Sequence, residues 1–182
     1  MRFPVIDSRE EFVRHYESEI WRVAAREISN RHGISPAYDL KRPPASEHVI
    51  FLIGERYVLK FFAPFRQGFR REKTALEFAR GKTRLKIPEI VATGSFEGFD
   101  YLVMTQLSGE QLSRQSWLAL SPRRQIAVAS ELAAGMKELH SHDADSLEFD
   151  WHKFVEHQAG IALERQIEAN VNPEWLGKLP VF

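Results

Sequence analysis

The 182-residue sequence contains no cysteine. Disulfides, thiolate metal sites and cysteine nucleophiles are thereby excluded. There is no excess of charge of either sign. The 25 basic and 25 acidic side chains leave a formal net charge of zero, where a dedicated nucleic-acid binder would carry a basic surplus. No apolar run approaches the length needed to cross a bilayer. The opening MRFPVIDSREEF puts acids where a secretory leader needs an unbroken apolar core. Repeats and low-complexity tracts are also missing. What is present, 43% hydrophobic and 27% charged residues, is ordinary globular composition. A soluble, cytoplasmic protein with no nucleic-acid and no membrane partner is expected.

Residues 8–32 read as one helix. Ser8 is its N-cap, Glu11 follows three residues later as in a capping box, and Gly33 lies past the end. Phe12, Tyr16, Ile20, Val23 and Ile28 approximate one apolar stripe. Pro43 and Pro44 then break any helix. The runs HVIFLIG and RYVLKFF, separated by Gly54-Glu55, predict a β-hairpin. Residues 67–81 return to helix. EIVATGSF and FDYLVMTQL predict a second strand pair, joined around Glu97-Gly98. Past Gly109 the strand signal ends. Residues 121–140 form a strong helix with Ser121 as cap and Pro122 in the first turn. Ile126, Ala129, Leu132, Ala133, Met136 and Leu139 line one face of it. Residues 151–170 predict a further, more loosely patterned helix. An antiparallel sheet carrying one helix, followed by an all-helical part, is an α+β arrangement, with the boundary near 105–110.

Three features carry candidate chemistry. Lys60 sits in Tyr57-Val58-Leu59-Lys60-Phe61-Phe62, where alternation puts it on one face with Val58 and Phe62. A lysine among apolar neighbours needs an anion or an exposed end; an edge-strand lysine that snorkels to water meets the same requirement. Glu72 is three residues after Phe69 and four before Leu76, so it shares the helix stripe that faces the sheet. An inward acid beside an inward lysine is the pair with which kinases hold a lysine against nucleotide phosphates; pairing with a neighbouring arginine is the alternative. Thr105-Gln106-Leu107-Ser108-Gly109 leaves the sheet extended and could offer backbone groups to an adenine edge or serve as a plain connector.

YVLKFF, FRREKTALEF, IPEIVATGSFEGFDYLVMTQLSGEQL and a long helix ending in KELH, in this order, resemble the aminoglycoside phosphotransferase family over roughly residues 45–182. The resemblance implies a protein-kinase-like N-lobe, an antiparallel sheet plus one helix, followed by a partial helical C-lobe. It implies ATP as cofactor with magnesium, and a small-molecule hydroxyl acceptor that these residues do not specify. It divides the chain into an N-terminal helical segment at 1–36, a kinase-like N-lobe at 37–106, and a hinge with an incomplete C-lobe at 107–182. Lys60 matches the phosphate-contacting lysine and Glu72 its helix partner. Met104 falls at the gatekeeper-like position, and the Thr105 carbonyl and Leu107 amide match the groups that read adenine. Ser46 matches a place over the phosphates, though an ordinary turn serine reads the same. Trp151, Phe154 and Gln158 resemble a helical signature of some members.

Two features depart from that pattern. PPASEH, before the first strand, has no glycine. The family's His-x-Asp loop with its following Asn and second Asp, which positions the acceptor and holds magnesium, has no match, and His140-Ser141-His142-Asp143 has the wrong spacing. No catalytic residue and no metal ligand is therefore assigned. A chain truncated before its catalytic loop and inactive alone is expected. A non-catalytic interaction module that self-associates through an exposed C-lobe surface and a truncated remnant of low stability are the alternatives. Gly81-Lys82-Thr83 imitates a P-loop but lacks the upstream glycine and ends a helix. His140, His142, His152 and His157 read as solvated or helix-capping groups. Trp21, Trp117, Trp151 and Trp175 read as core or interface anchors.

Overall fold

The structure, a computed structural model, describes residues 3–35, 37–43, 48–65, 68–110, 112–144, 147, 151–172 and 174. Its contacts divide the chain into two compact units, Met1–Asp143 and Ala144–Phe182.

The first unit is built on a five-stranded antiparallel sheet of order β1-β2-β3-β5-β4. Its strands are β1 (Leu40–Lys41), β2 (Val49–Ile53), β3 (Tyr57–Phe62), β4 (Ile90–Phe96) and β5 (Phe99–Thr105). Both expected hairpins form. The tight turn between β4 and β5 holds Glu97 at φ 50° and Gly98 at φ 84°, the paired positive angles that two-residue hairpin loops require. Lys60 lies on β3, between β2 and β5. The edge-strand explanation for it is therefore removed.

The sheet is covered fully on one face and in part on the other. On one, Phe51, Ile53, Leu59, Phe61, Tyr101 and Val103 pack against Trp21, Ala24, Ala25 and Ile28 of the N-terminal helices in a single core. The other receives α3 (Gly68–Ala79), whose Phe69 and Leu76 close over Phe62, Leu102 and Met104. The strict alternation along β2, buried at Val49, Phe51 and Ile53 and half-buried between, follows from one face being fully covered and the other only partly.

The expected helix at 8–32 is interrupted. It forms α1 (Arg9–His15) and α2 (Ile20–Arg31). Ser8 caps α1 as the sequence predicts, accepting from the Glu11 amide at 3.2 Å. The Glu11 carboxylate does not complete a capping box; it pairs with Arg14 and, at 3.6 Å, with His15. The break at 16–19 is held by long-range donors. The Trp21 indole donates to the His15 carbonyl at 2.8 Å, and Arg42 donates to the Tyr16 carbonyl at 2.6 Å. These partners satisfy carbonyls that a continuous helix would have bonded internally.

After β5 come α4 (Arg114–Ala119), which the periodicity does not predict, and α5 (Pro122–His140). Ser113 caps α4, accepting from the Ser116 amide at 3.0 Å. Ser121 and Pro122 start α5 as expected. The apolar stripe of α5 is not its packing face: Ile126, Leu132 and Met136 are exposed. The helix docks instead through its buried Gly135, whose surface is filled by the Leu85 side chain. Around that contact Thr83 donates to the Gly135 carbonyl at 3.0 Å, and Arg84 meets Glu138 through its amide at 2.5 Å and its Nε at 2.7 Å. The Gly81-Lys82-Thr83 tripeptide is thus part of a tie between the end of α3 and α5.

The second unit contains α6 (Trp151–Glu168). There Gln158 accepts from Arg165 at 3.2 Å, and Phe154 is exposed. Ser46 and Trp175 lie outside the described residues, as does the side chain of Trp151.

Candidate nucleotide site

Helix spacing and strand alternation converge on one pair. Lys60 on β3 and Glu72 on α3 face each other, and Lys60 Nζ donates to Glu72 Oε2 at 2.5 Å. The lysine side chain is 14% exposed and the glutamate 31%, so the pair is sheltered but reachable. Phe69 and Leu76, one turn to either side of Glu72, seat α3 on the sheet and thereby aim the carboxylate. The Lys60 ammonium also lies 5.1 Å from the centre of the Phe62 ring, which adds a modest cation–π attraction.

The strand register extends the site away from α3. Ile50 stands opposite Lys60, and Leu52 stands opposite Val58. Because opposed residues share a face, Ile50, Leu52, Val58 and Lys60 form one surface. The three apolar members are only half-buried. A flat apolar patch beside a held ammonium suits a ligand with a planar ring at one end and anionic groups at the other. Strand alternation around Lys60 would have found this patch, which the sequence reading did not single out.

The third sequence-predicted feature borders the same surface. Met104, opposite Val58, is 7% exposed and packs with Phe62 and Leu102. Thr105 ends β5, and Leu107, two residues on, is 43% exposed. The Gln106 amide donates to the Arg56 carbonyl at 2.8 Å. Gln106 carries a further signal that sequence could not give: its side-chain Oε1 is buried with no hydrogen-bond partner among the described residues. A buried orphan acceptor costs free energy unless something satisfies it. Among the described residues no three His, Asp or Glu side chains converge as metal ligands. His140 and His142 close and follow α5, and His152 and His157 ride on α6, all exposed.

The comparisons with known proteins fall on this architecture. Residues 40–179 match the family described as the phosphotransferase enzyme family, APH. The chain belongs to that family. Among curated proteins none matches the chain. Among solved structures, this APH chain is similar to an aminoglycoside 2'-phosphotransferase-IIIa in its GDP complex, with a TM-score of 0.67 and 15% identity over 84% of this chain and 54% of that one. It is similar to APH(2")-IIa in a ternary complex with streptomycin and ATP, with a TM-score of 0.56 and 20% identity over 88% of this chain and 54% of the other. A third is ADP-bound APH(2'')-Ib, at 0.53 and 24%, over 85% and 52%. At these identities the likeness establishes the kinase-like fold. The chain spans about half the length of the structures it matches.

Proposed function

We propose that this chain is the ATP-binding portion of a small-molecule phosphotransferase. The observation that carries the reading is the Lys60–Glu72 contact beside the half-buried Ile50, Leu52 and Val58. In it the base lies against the apolar patch, the Thr105 carbonyl and the Leu107 amide meet its edge, and Met104 closes its inner end. Glu72 holds the Lys60 ammonium toward the α- and β-phosphates, where a preset cation saves the cost of ordering it. Magnesium, which the resemblance implies, would neutralise phosphate charge during transfer. The described residues do not fit a site for it, and the sequence has no His-x-Asp. No transfer step is therefore assigned to residues 1–182, which are proposed to bind ATP without turning it over. The acceptor is proposed only as a hydroxyl compound, and the cytoplasm as the compartment where ATP is met.

Calorimetric titration of the 182-residue chain with ATP tests the reading. Saturable binding that Lys60→Ala abolishes or weakens is expected. A chain that takes up no nucleotide at any attainable concentration sinks it.

A second reading rests on α5, where Ile126, Val128, Leu132 and Met136 are all exposed. Apolar surface of this kind marks an interaction face, as expected of a non-catalytic module that self-associates. Light scattering across protein concentration separates the two: a strict monomer at high concentration counts against the module.

A further inference from the structure

A second basic side chain lies at one end of the Lys60 surface. β2 begins at Val49, opposite Phe61 on β3. His48, one residue earlier, falls on the same face as Ile50 by strand alternation. Its ring centre lies 5.4 Å from that of Phe62, and the Lys60 ammonium lies 5.1 Å from the same Phe62 centre. α3 opens beside them. A Cβ built on Gly68 would stand 3.3 Å from Phe62 Cδ1 and 3.8 Å from His48 Cε1, the carbon between the two ring nitrogens. The nitrogen edge of the imidazole is therefore turned toward the start of the helix whose Glu72 holds Lys60. Three rungs follow in order along this face: Leu52 with Val58, Ile50 with Lys60, then His48 with Phe62. One rung is about 7 Å of strand. A nucleotide whose base rests on the first, and whose inner phosphates meet Lys60 on the second, carries its outer phosphate to the third.

We propose that His48 is a phosphate-binding residue whose imidazolium takes the outermost phosphate of a nucleoside triphosphate, so that binding ATP draws a proton onto the chain. This rests on the nucleotide-binding reading above. An imidazole facing a polyphosphate holds its proton more tightly than one facing water, and histidine is the side chain that changes charge near neutral pH. The bound form keeps the proton to higher pH than the free form. The gain in affinity is therefore fully present on the acid side and is lost as pH rises through the value of the bound form. Around His48 stand Lys60 from β3 and Glu72 from α3, with Arg70 and Arg71 exposed in the first turn of that helix. Behind it the Tyr16 hydroxyl donates to the His48 carbonyl at 3.2 Å, and the Arg42 guanidinium covers the Tyr16 ring. Glu47, next in sequence, lies outside the described residues. Among these groups His48 alone is an imidazole.

Calorimetric titration of the 182-residue chain with ATP and with AMP, which has no outer phosphate, tests this between about pH 5.5 and pH 8.5. Relative to His48→Gln, the wild type should bind ATP about tenfold tighter at the acid end, the worth of one charge-assisted hydrogen bond, and about equally at the alkaline end. Taking the ratio cancels the titration of ATP itself. For AMP the two proteins should stay within about twofold of each other throughout. His48→Arg, a fixed cation, should hold the acid-end affinity for ATP across the whole range, and it carries the result should the glutamine variant not fold. Parallel pH profiles of the wild type and His48→Gln for ATP, or a loss in His48→Gln that is equal for ATP and AMP, overturns the proposal and leaves nucleotide binding intact. Binding of neither nucleotide by the wild type removes both.

Discussion

Leu85 fills the space in which any side chain at position 135 would have to stand. A Cβ built on Gly135 would lie 2.6 Å from Leu85 Cδ1 and 2.9 Å from Cδ2, with Cγ closer still. Gly135→Ala should therefore destabilise the chain by about 1–3 kcal/mol, the usual cost of overpacking, although alanine has the better helix propensity. Urea unfolding measures it. Leu85→Ala in the same background should recover part of the loss, whereas two additive penalties would mean that the contact is not where the helix docks.

Charge at the α3–β3 contact should be felt in ligand binding more than in stability. Lys60→Ala is expected to weaken ATP about ten- to hundredfold, the worth of a charge-assisted contact to phosphate. Glu72→Gln keeps the shape and removes the charge that orients Lys60; a loss of about threefold to fivefold is expected, as for a partly exposed ion pair. Calorimetry gives both numbers. A Glu72→Gln chain that binds like the wild type would strip the glutamate of its orienting role.

The tie between α5 and the end of α3 should loosen in acid. The Arg84 amide, and then its guanidinium, hold the Glu138 carboxyl below its ordinary value of 4.5. The folded value is the lower one, so the contribution is fully present above the ordinary carboxylate range. It is lost as pH falls through the lowered folded value. The pH dependence of the thermal midpoint should therefore flatten at its acid end in Glu138→Gln. Identical acid limbs for the two proteins would exclude this carboxylate as a source.

Gln106 should be replaceable at a gain when no ligand is present. Its buried Oε1 has no partner among the described residues. Methionine, of similar length and without that acceptor, should raise the unfolding free energy by about 1 kcal/mol. A stability loss on this substitution would show that the amide is satisfied in solution.

The Lys60–Glu72 pairing was legible because two short-range rules, alternation in a strand and the three-to-four spacing in a helix, each fixed a direction. Contacts set by distant partners were not. The apolar stripe through Phe12, Tyr16 and Ile20 is continuous in sequence, yet the helix breaks there because Trp21 and Arg42 supply donors to the His15 and Tyr16 carbonyls. For α5 the period predicted a helix and not its packing face. Gly135, an interior glycine, was the available sign of a close approach. The hydrogen bond from the Glu89 amide to the Thr105 hydroxyl depends on register with a residue 16 positions earlier, which no local pattern encodes. Ser46, expected over the phosphates, lies outside the described residues.

The sheet order places Lys60 on an inner strand, bonded to a neighbour on both sides, and places Glu89 just before β4, an edge strand. Amide protons around Lys60 can exchange with solvent only when much of the sheet opens, whereas those near Glu89 need only the rim to fray. A nucleotide seated on Ile50, Leu52, Val58 and Lys60 would rest on two inner strands, so its whole footprint would lie on backbone that opens more slowly than the rim.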